Sequence, residues 1–263
     1  TLGRLAALGT AVVVAGLLVV GLDAAAGGES HVTRSLGSGP GSFAEDLAQR
    51  AEVSFRGPTS SPLPFLITAG SLLVLAWVAT RRPRDALVDA MLAAVPGISD
   101  LATVKGEQVS NVGSQDMSFQ ILLTVAKRIN ELAKSPDVDG IVITHGTDTL
   151  EDSAFFLNMT VKTDKPVVMV ASMRPSTAVS ADGPLNLYNA VGVAVDPNAK
   201  GRGVLVVMND AIHAAHSLTK SSTTSVETFL SPLRGLVGVA SYGKNDWYMS
   251  PSWKHTTQTE FDI

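Results

Sequence analysis

Three short, uninterrupted apolar runs constrain this chain more than any other feature: 141–143 (IVI), 167–171 (VVMVA) and 204–208 (VLVVM). They are mostly β-branched, too short to be helices, and continuous rather than alternating, the pattern of strands buried on both faces. Helical patterns separate them. Residues 118–134 set Ile121, Leu122, Val125, Ile129 and Leu132 on one face, a second pattern opens with Leu150, Ala154, Phe155 and Leu157, and a third covers 185–195. Residues 86–94 predict a further helix ending at Val95-Pro96-Gly97, 104–112 alternate as a strand does, and Tyr242-Gly243-Lys244-Asn245 predicts a β-hairpin. The fold class expected is therefore α/β, a mostly parallel sheet with flanking helices.

In open sheets of this class, ligands bind at the carboxyl edge of the strands. Three loops should meet there: Gly113-Ser114-Gln115-Asp116, Gly146-Thr147-Asp148 and Ser172-Met173-Arg174-Pro175. Lys220 lies beyond the next strand and could reach the same edge. A Thr–Asp–Lys set makes chemical sense. A threonine hydroxyl needs a nearby base before it can act as nucleophile or proton relay. A desolvated lysine can lose its proton and serve as that base, and a carboxylate can orient it or hold a substrate ammonium group. A plainer reading also fits: Asp148 with Glu151 forms a capping box, Thr147 is a turn residue, and His145 is a satisfied histidine beneath the loop.

Composition narrows the alternatives. The net charge is −4 and the basic residues are scattered, so there is no electrostatic footprint for nucleic acid. The absence of cysteine excludes disulfides and thiolate metal sites. Five histidines form no zinc-type set; His213 and His216, three apart, fit helix or surface positions better than ligand positions. No G-x-G-x-x-G follows any predicted strand, which removes a dinucleotide site.

The first 84 residues read differently. Residues 5–22 are uncharged behind Arg4, and 58–80 are uncharged and end against Arg81, Arg82 and Arg84, with Trp77 near that border. Each is long enough to cross a bilayer, so two hydrophobic helices are expected, a membrane hairpin with a Gly/Ser-rich loop at 23–57. That loop carries three Arg against five Asp and Glu. The positive-inside rule then puts the basic flanks, and everything after residue 84, in the cytoplasm. Two buried core helices are the other reading.

The segments VKGEQVSNVGSQDM, ITHGTDTLEDSAFFL, KPVVMVASMRPSTAVSADGPLNLYNAV, RGVLVVMND and HTTQTEFD closely resemble the amino-terminal domain of bacterial type II L-asparaginases, from about residue 86 to 263. The resemblance implies an amidohydrolase that splits L-asparagine, sometimes L-glutamine, without metal or cofactor. By that resemblance Thr147, Asp148 and Lys220 match a catalytic triad. Ser114 and Gln115 match the substrate-binding pair beside Gly113, and Gly146 and Ser172 fall where backbone groups line the pocket. The family is homotetrameric and usually periplasmic or secreted, which conflicts with the cytoplasmic orientation.

The departures are specific. The family's TGGT turn, whose second threonine is the primary nucleophile, is absent. The nearest string, Thr68-Ala69-Gly70-Ser71, would put Ser71 in its place, inside a run that a membrane helix explains. The tyrosine-bearing lid and the carboxy-terminal domain are also missing. The expectation is thus an α/β domain at 85–263 without its first strand, joined naturally or by assembly error to an unrelated membrane segment, the orientation conflict favouring the latter, and weak or inactive as a hydrolase. The alternative is a membrane-anchored, non-catalytic amino-acid-binding module.

Overall fold

The computed structural model describes residues 9–16 and 83–263. Eight strands form one sheet: β1 (Gly9–Gly16), β2 (Ala102–Ser110), β3 (Gly140–Thr144), β4 (Val167–Val170), β5 (Val204–Met208), β6 (Ala211–Ala214), β9 (Gly238–Ser241) and β10 (Lys244–Trp247). Their order across the sheet is β10-β9-β6-β5-β4-β3-β1-β2. Strands β2, β1, β3, β4 and β5 run parallel, and β6, β9 and β10 continue the sheet through antiparallel pairings. The sheet is therefore mixed: the expected parallel arrangement holds for one half. A separate two-stranded ribbon joins β7 (Thr219–Lys220) to β8 (Phe229–Leu230).

The continuous apolar runs bury alternate residues on opposite faces. Ile141 and Ile143, Val167 and Met169, Val204 and Val206 share one core with Val125, Ala126 and Ile129 of helix α3 (Phe119–Ala133) and Leu150, Ala154 and Leu157 of helix α4 (Leu150–Thr160). Val142, Val168, Val170, Leu205 and Val207 face the other way, against Leu187, Ala190, Val191, Val193 and Ala194 of helix α5 (Gly183–Ala194). Two short helices, α1 (Pro83–Ala93) and α2 (Ile98–Leu101), precede β2. A strand whose two faces both meet helices must be apolar throughout, which is why the pattern was continuous. At Gly140 a β-carbon would fall 2.0 Å from the Ala194 carbonyl oxygen, so only glycine lets α5 sit this close to β3.

The hairpin forms as expected. Tyr242 (φ 48°) and Gly243 (φ 73°) occupy a two-residue turn between β9 and β10 with positive φ at both positions. Phe155, grouped above with the buried face of its helix, is 44% exposed and stands edge-on to His216 at 5.5 Å.

One expectation is corrected outright. Residues 9–16, inside the run expected to form a membrane helix over 5–22, are strand β1, paired parallel to β2 on one side and β3 on the other. The physical reason is that three consecutive valines between Gly9 and Gly16 favour a strand, and an interior strand of a parallel sheet is as free of charge in sequence as a bilayer helix. The sheet accordingly has no vacancy between β2 and β3. The rest of 5–22, the loop at 23–57, the run at 58–80 and Ser71 lie outside the described residues. Among the described residues no helix is long and apolar enough to cross a membrane.

Candidate active site

The loops that follow β2, β3 and β4 emerge at one sheet edge. Parallel registry pairs Thr144 with Val170, and the His145 N–H donates to the Val170 carbonyl at 2.9 Å, so the turn after β3 starts level with the end of β4. After β2 the chain makes a single 3₁₀ turn, Ser114–Asp116. Ser114 is 3% exposed and ties two loops together: its Oγ accepts from the Asp148 N–H at 3.2 Å, and its carbonyl accepts from the Thr149 hydroxyl at 2.7 Å. A β-carbon on Gly146 would lie 2.5 Å from that Ser114 Oγ. Only glycine admits this approach.

Lys220 arrives from the β7–β8 ribbon. Its Nζ donates to Thr147 Oγ1 at 3.0 Å and to Asp148 Oδ1 at 2.7 Å. The lysine side chain is 15% exposed and the aspartate 57%, so the ion pair is covered on the lysine side and open on the carboxylate side. The ammonium is shielded from competing water while the carboxylate keeps a free face for a ligand. Thr147, Asp148 and Lys220, matched to one another through the family resemblance, are in contact.

Glu151 was expected to cap helix α4 with Asp148. It does not. Thr149 is the N-cap and makes no side-chain capping bond. The Glu151 carboxylate instead accepts from the backbone N–H of Lys220 through Oε2 and from the Thr219 hydroxyl through Oε1 at 3.5 Å.

The remaining expected residues line the edge without joining that network. Gln115 is exposed, its amide nitrogen donating to Asp116 Oδ2 at 3.3 Å while its side chain folds over Gly113. Ser172 is half-buried beside Gly183, whose added β-carbon would sit 3.5 Å from Ser172 Oγ. The loop it opens is held by Asp182, whose two carboxylate oxygens accept from the N–H groups of Met173 and Arg174, both at 2.9 Å. Asn186 donates to the Ala171 carbonyl at 3.0 Å and to Asp182 at 3.2 Å. Asp182 and Asn186 were not singled out from sequence. The available clue was the Asp-Gly-Pro opening of a helix, which points to an N-cap rather than to a loop anchor nine residues back.

His145 is buried beneath the Thr147 turn, with Nδ1 donating to the Gly146 carbonyl at 2.6 Å. Burial pushes its pKa below the ordinary imidazole value, opposed by that hydrogen bond. It is a neutral support under the turn. No group of His, Asp or Glu among the described residues could hold a metal ion.

An edge of this kind, where the largely covered Lys220 bridges Thr147 and the more exposed Asp148 carboxylate, defines an α/β class with a polar site at the carboxyl ends of parallel strands. The family comparison agrees: residues 67–253 match the family described as Asparaginase, N-terminal, and the chain belongs to that family. It is 56% identical over 178 residues to L-asparaginase 2 of Bacillus subtilis (strain 168), covering 67% of this chain and 47% of that one. It is 54% identical over 176 residues to L-asparaginase 2 of Escherichia coli (strain K12), covering 67% and 50%. With the glutaminase-asparaginase of Pseudomonas fluorescens biotype A it shares 51% identity over 176 residues, covering 67% and 48%. The crystal structure of a probable cytoplasmic L-asparaginase from Campylobacter jejuni superposes with a TM-score of 0.65 at 47% identity, over 66% of this chain and 54% of that one. The chain spans about half the length of the curated relatives it matches.

Proposed function

We propose that the site is that of an L-asparaginase-type amidohydrolase acting on L-asparagine, with L-glutamine as a possible second substrate. The observation that carries this is the Lys220 Nζ hydrogen-bonded at once to Thr147 Oγ1 and Asp148 Oδ1. In the reaction the carboxamide C–N bond breaks, water adds to the acyl carbon, and the nitrogen leaves as ammonia. The Lys220 amine relays a proton between the Thr147 hydroxyl and the departing nitrogen, and Asp148 holds that amine in place. Asp148 turns its exposed oxygen to the substrate's ammonium group, and Ser114, Gln115 and the backbone at Gly113, Gly146 and Ser172 line the remainder of the pocket. Glutamine enters the proposal because relatives named glutaminase-asparaginase match as well.

Strand β1 runs toward this edge, yet residues 11–22 contain no serine or threonine. Positioned proton transfer without covalent attack supplies only part of an enzyme's acceleration. The chain should therefore bind L-asparagine and release ammonia slowly or not at all. That same observation favours a second reading, a non-catalytic amino-acid-binding module. Calorimetric titration with L-asparagine and L-aspartate, run beside an ammonia assay, tests the pair. Binding with slow turnover supports the hydrolase half-site, binding with none supports the module, and no binding of either amino acid removes both.

A further inference from the structure

We propose that Glu151 is the positioning residue of Lys220, a clamp that fixes where the lysine begins so that its amine can reach Thr147. The proposal rests on Lys220 being the amine of the site described above. Strand β7 has only two residues and, among the described residues, pairs with β8 alone, so the ladder of the main sheet does not locate Lys220. A lysine side chain has four rotatable bonds, and a small displacement of its backbone is enough to take Nζ out of hydrogen-bond range of a fixed hydroxyl. Its backbone is held by Glu151, which accepts from the Lys220 N–H and from the hydroxyl of the preceding Thr219. Hydrogen bonds to an ionised carboxylate are the strong kind.

Sequence position explains the arrangement. Glu151 is the second residue of α4, four residues after Thr147 and three after Asp148. One turn of chain thus grips Lys220 at both ends, the amine through Thr147 and Asp148 and the backbone through Glu151. The half-buried carboxylate forgoes the capping bond its position would allow, and the helix start is left to a Thr149 without a side-chain cap. A glutamate whose purpose was the helix alone would serve its own first-turn N–H groups.

The experiment reads Lys220 itself and needs no substrate, so it can fail independently of the hydrolase reading. The chain is pulse-labelled with limiting acetic anhydride, and the acetylation rate of each lysine is measured by mass spectrometry, with Lys162 and Lys165 as internal standards. Glu151→Ala should raise Lys220 labelling about tenfold, the scale of losing a backbone-anchoring hydrogen bond, with the standards unchanged. Glu151→Gln should stay within about twofold of the parent, because its carbonyl still accepts from the Lys220 N–H while its amide serves the Thr219 hydroxyl. Glu151→Asp keeps the charge at the helix start but not the reach, and should behave like the alanine variant. It also covers the case in which Glu151→Ala fails to fold. Selective exposure of Lys220 in the Asp and Ala variants, with rescue by Gln, supports the clamp. Parent-like labelling of Lys220 in a folded Asp variant overturns it, as does a uniform rise at all three lysines.

Discussion

Thr147 and Lys220 meet at 3.0 Å but come from regions built in different ways. Thr147 follows a strand with neighbours on both sides and precedes a helix whose Leu150, Ala154 and Leu157 are at most 1% exposed. Lys220 sits on a two-residue strand whose single pairing partner is another two-residue strand. The first placement is over-determined by packing; the second depends on a few polar contacts and on Leu218 and Phe229, 7% and 4% exposed. Local opening takes the path of fewest buried contacts, so the site should come apart from the lysine side first.

The largest effect tests the amine itself. Lys220→Met keeps much of the side chain's length and removes the amine. Whatever ammonia release the chain supports should fall about 10²–10⁴-fold, while L-aspartate binding, read by calorimetry, should weaken far less. Next, Leu205→Ala in β5, which is fully buried, should cost about 3–4 kcal/mol in urea unfolding. It should loosen both halves of the sheet together. Phe229→Ala in the ribbon, by contrast, should expose Lys220 to amide exchange well before the global transition. Equal global costs for the two variants would erase the distinction between the regions.

A third test uses pH. His213 in β6 is 1% exposed, its Nδ1 bonded to Ser231 Oγ at 2.9 Å, and burial pushes its pKa down to about 4 from an ordinary value near 6.5. The unfolded chain therefore binds a proton more readily between those values. Stability should be fully present above about pH 6.5, decline as pH falls toward 4, and level off below. The loss is on the order of 3 kcal/mol. His213→Leu should flatten that slope in unfolding curves taken at pH 7 and pH 4.5. The smallest effect concerns the loop after β4. Asp182→Asn weakens two backbone bonds and should cost about 1–2 kcal/mol, seen as faster exchange of the Met173 and Arg174 amides.

Much of the parallel half could be read from sequence because its constraints are local: a strand buried on both faces must be apolar at every position, and 141–143, 167–171 and 204–208 are. The Thr147 turn was likewise visible as a change from apolar to small polar residues. What could not be read depends on partners far along the chain. The bond from Lys220 to Glu151 spans 69 residues, so Glu151 looked like a capping residue. The anchoring of Met173 and Arg174 by Asp182 was hidden for the same reason. Strand β1 was misjudged because uniform hydrophobicity is shared by buried strands and bilayer helices, and the pairing that decides between them lies more than 80 residues away. The antiparallel half was nearly silent apart from its hairpin, since β6 reads AIHA and the ribbon strands have two residues each.

The close approach of Gly146 to Ser114 has a mechanical corollary. With no space for even a methyl group between them, the loops that carry Ser114 and Thr147 are pressed together, so a shift in one is passed directly to the other. The spacing between Ser114 and Thr147 is then set by this single joint, and Gly146→Ala is the thinnest shim available to wedge it.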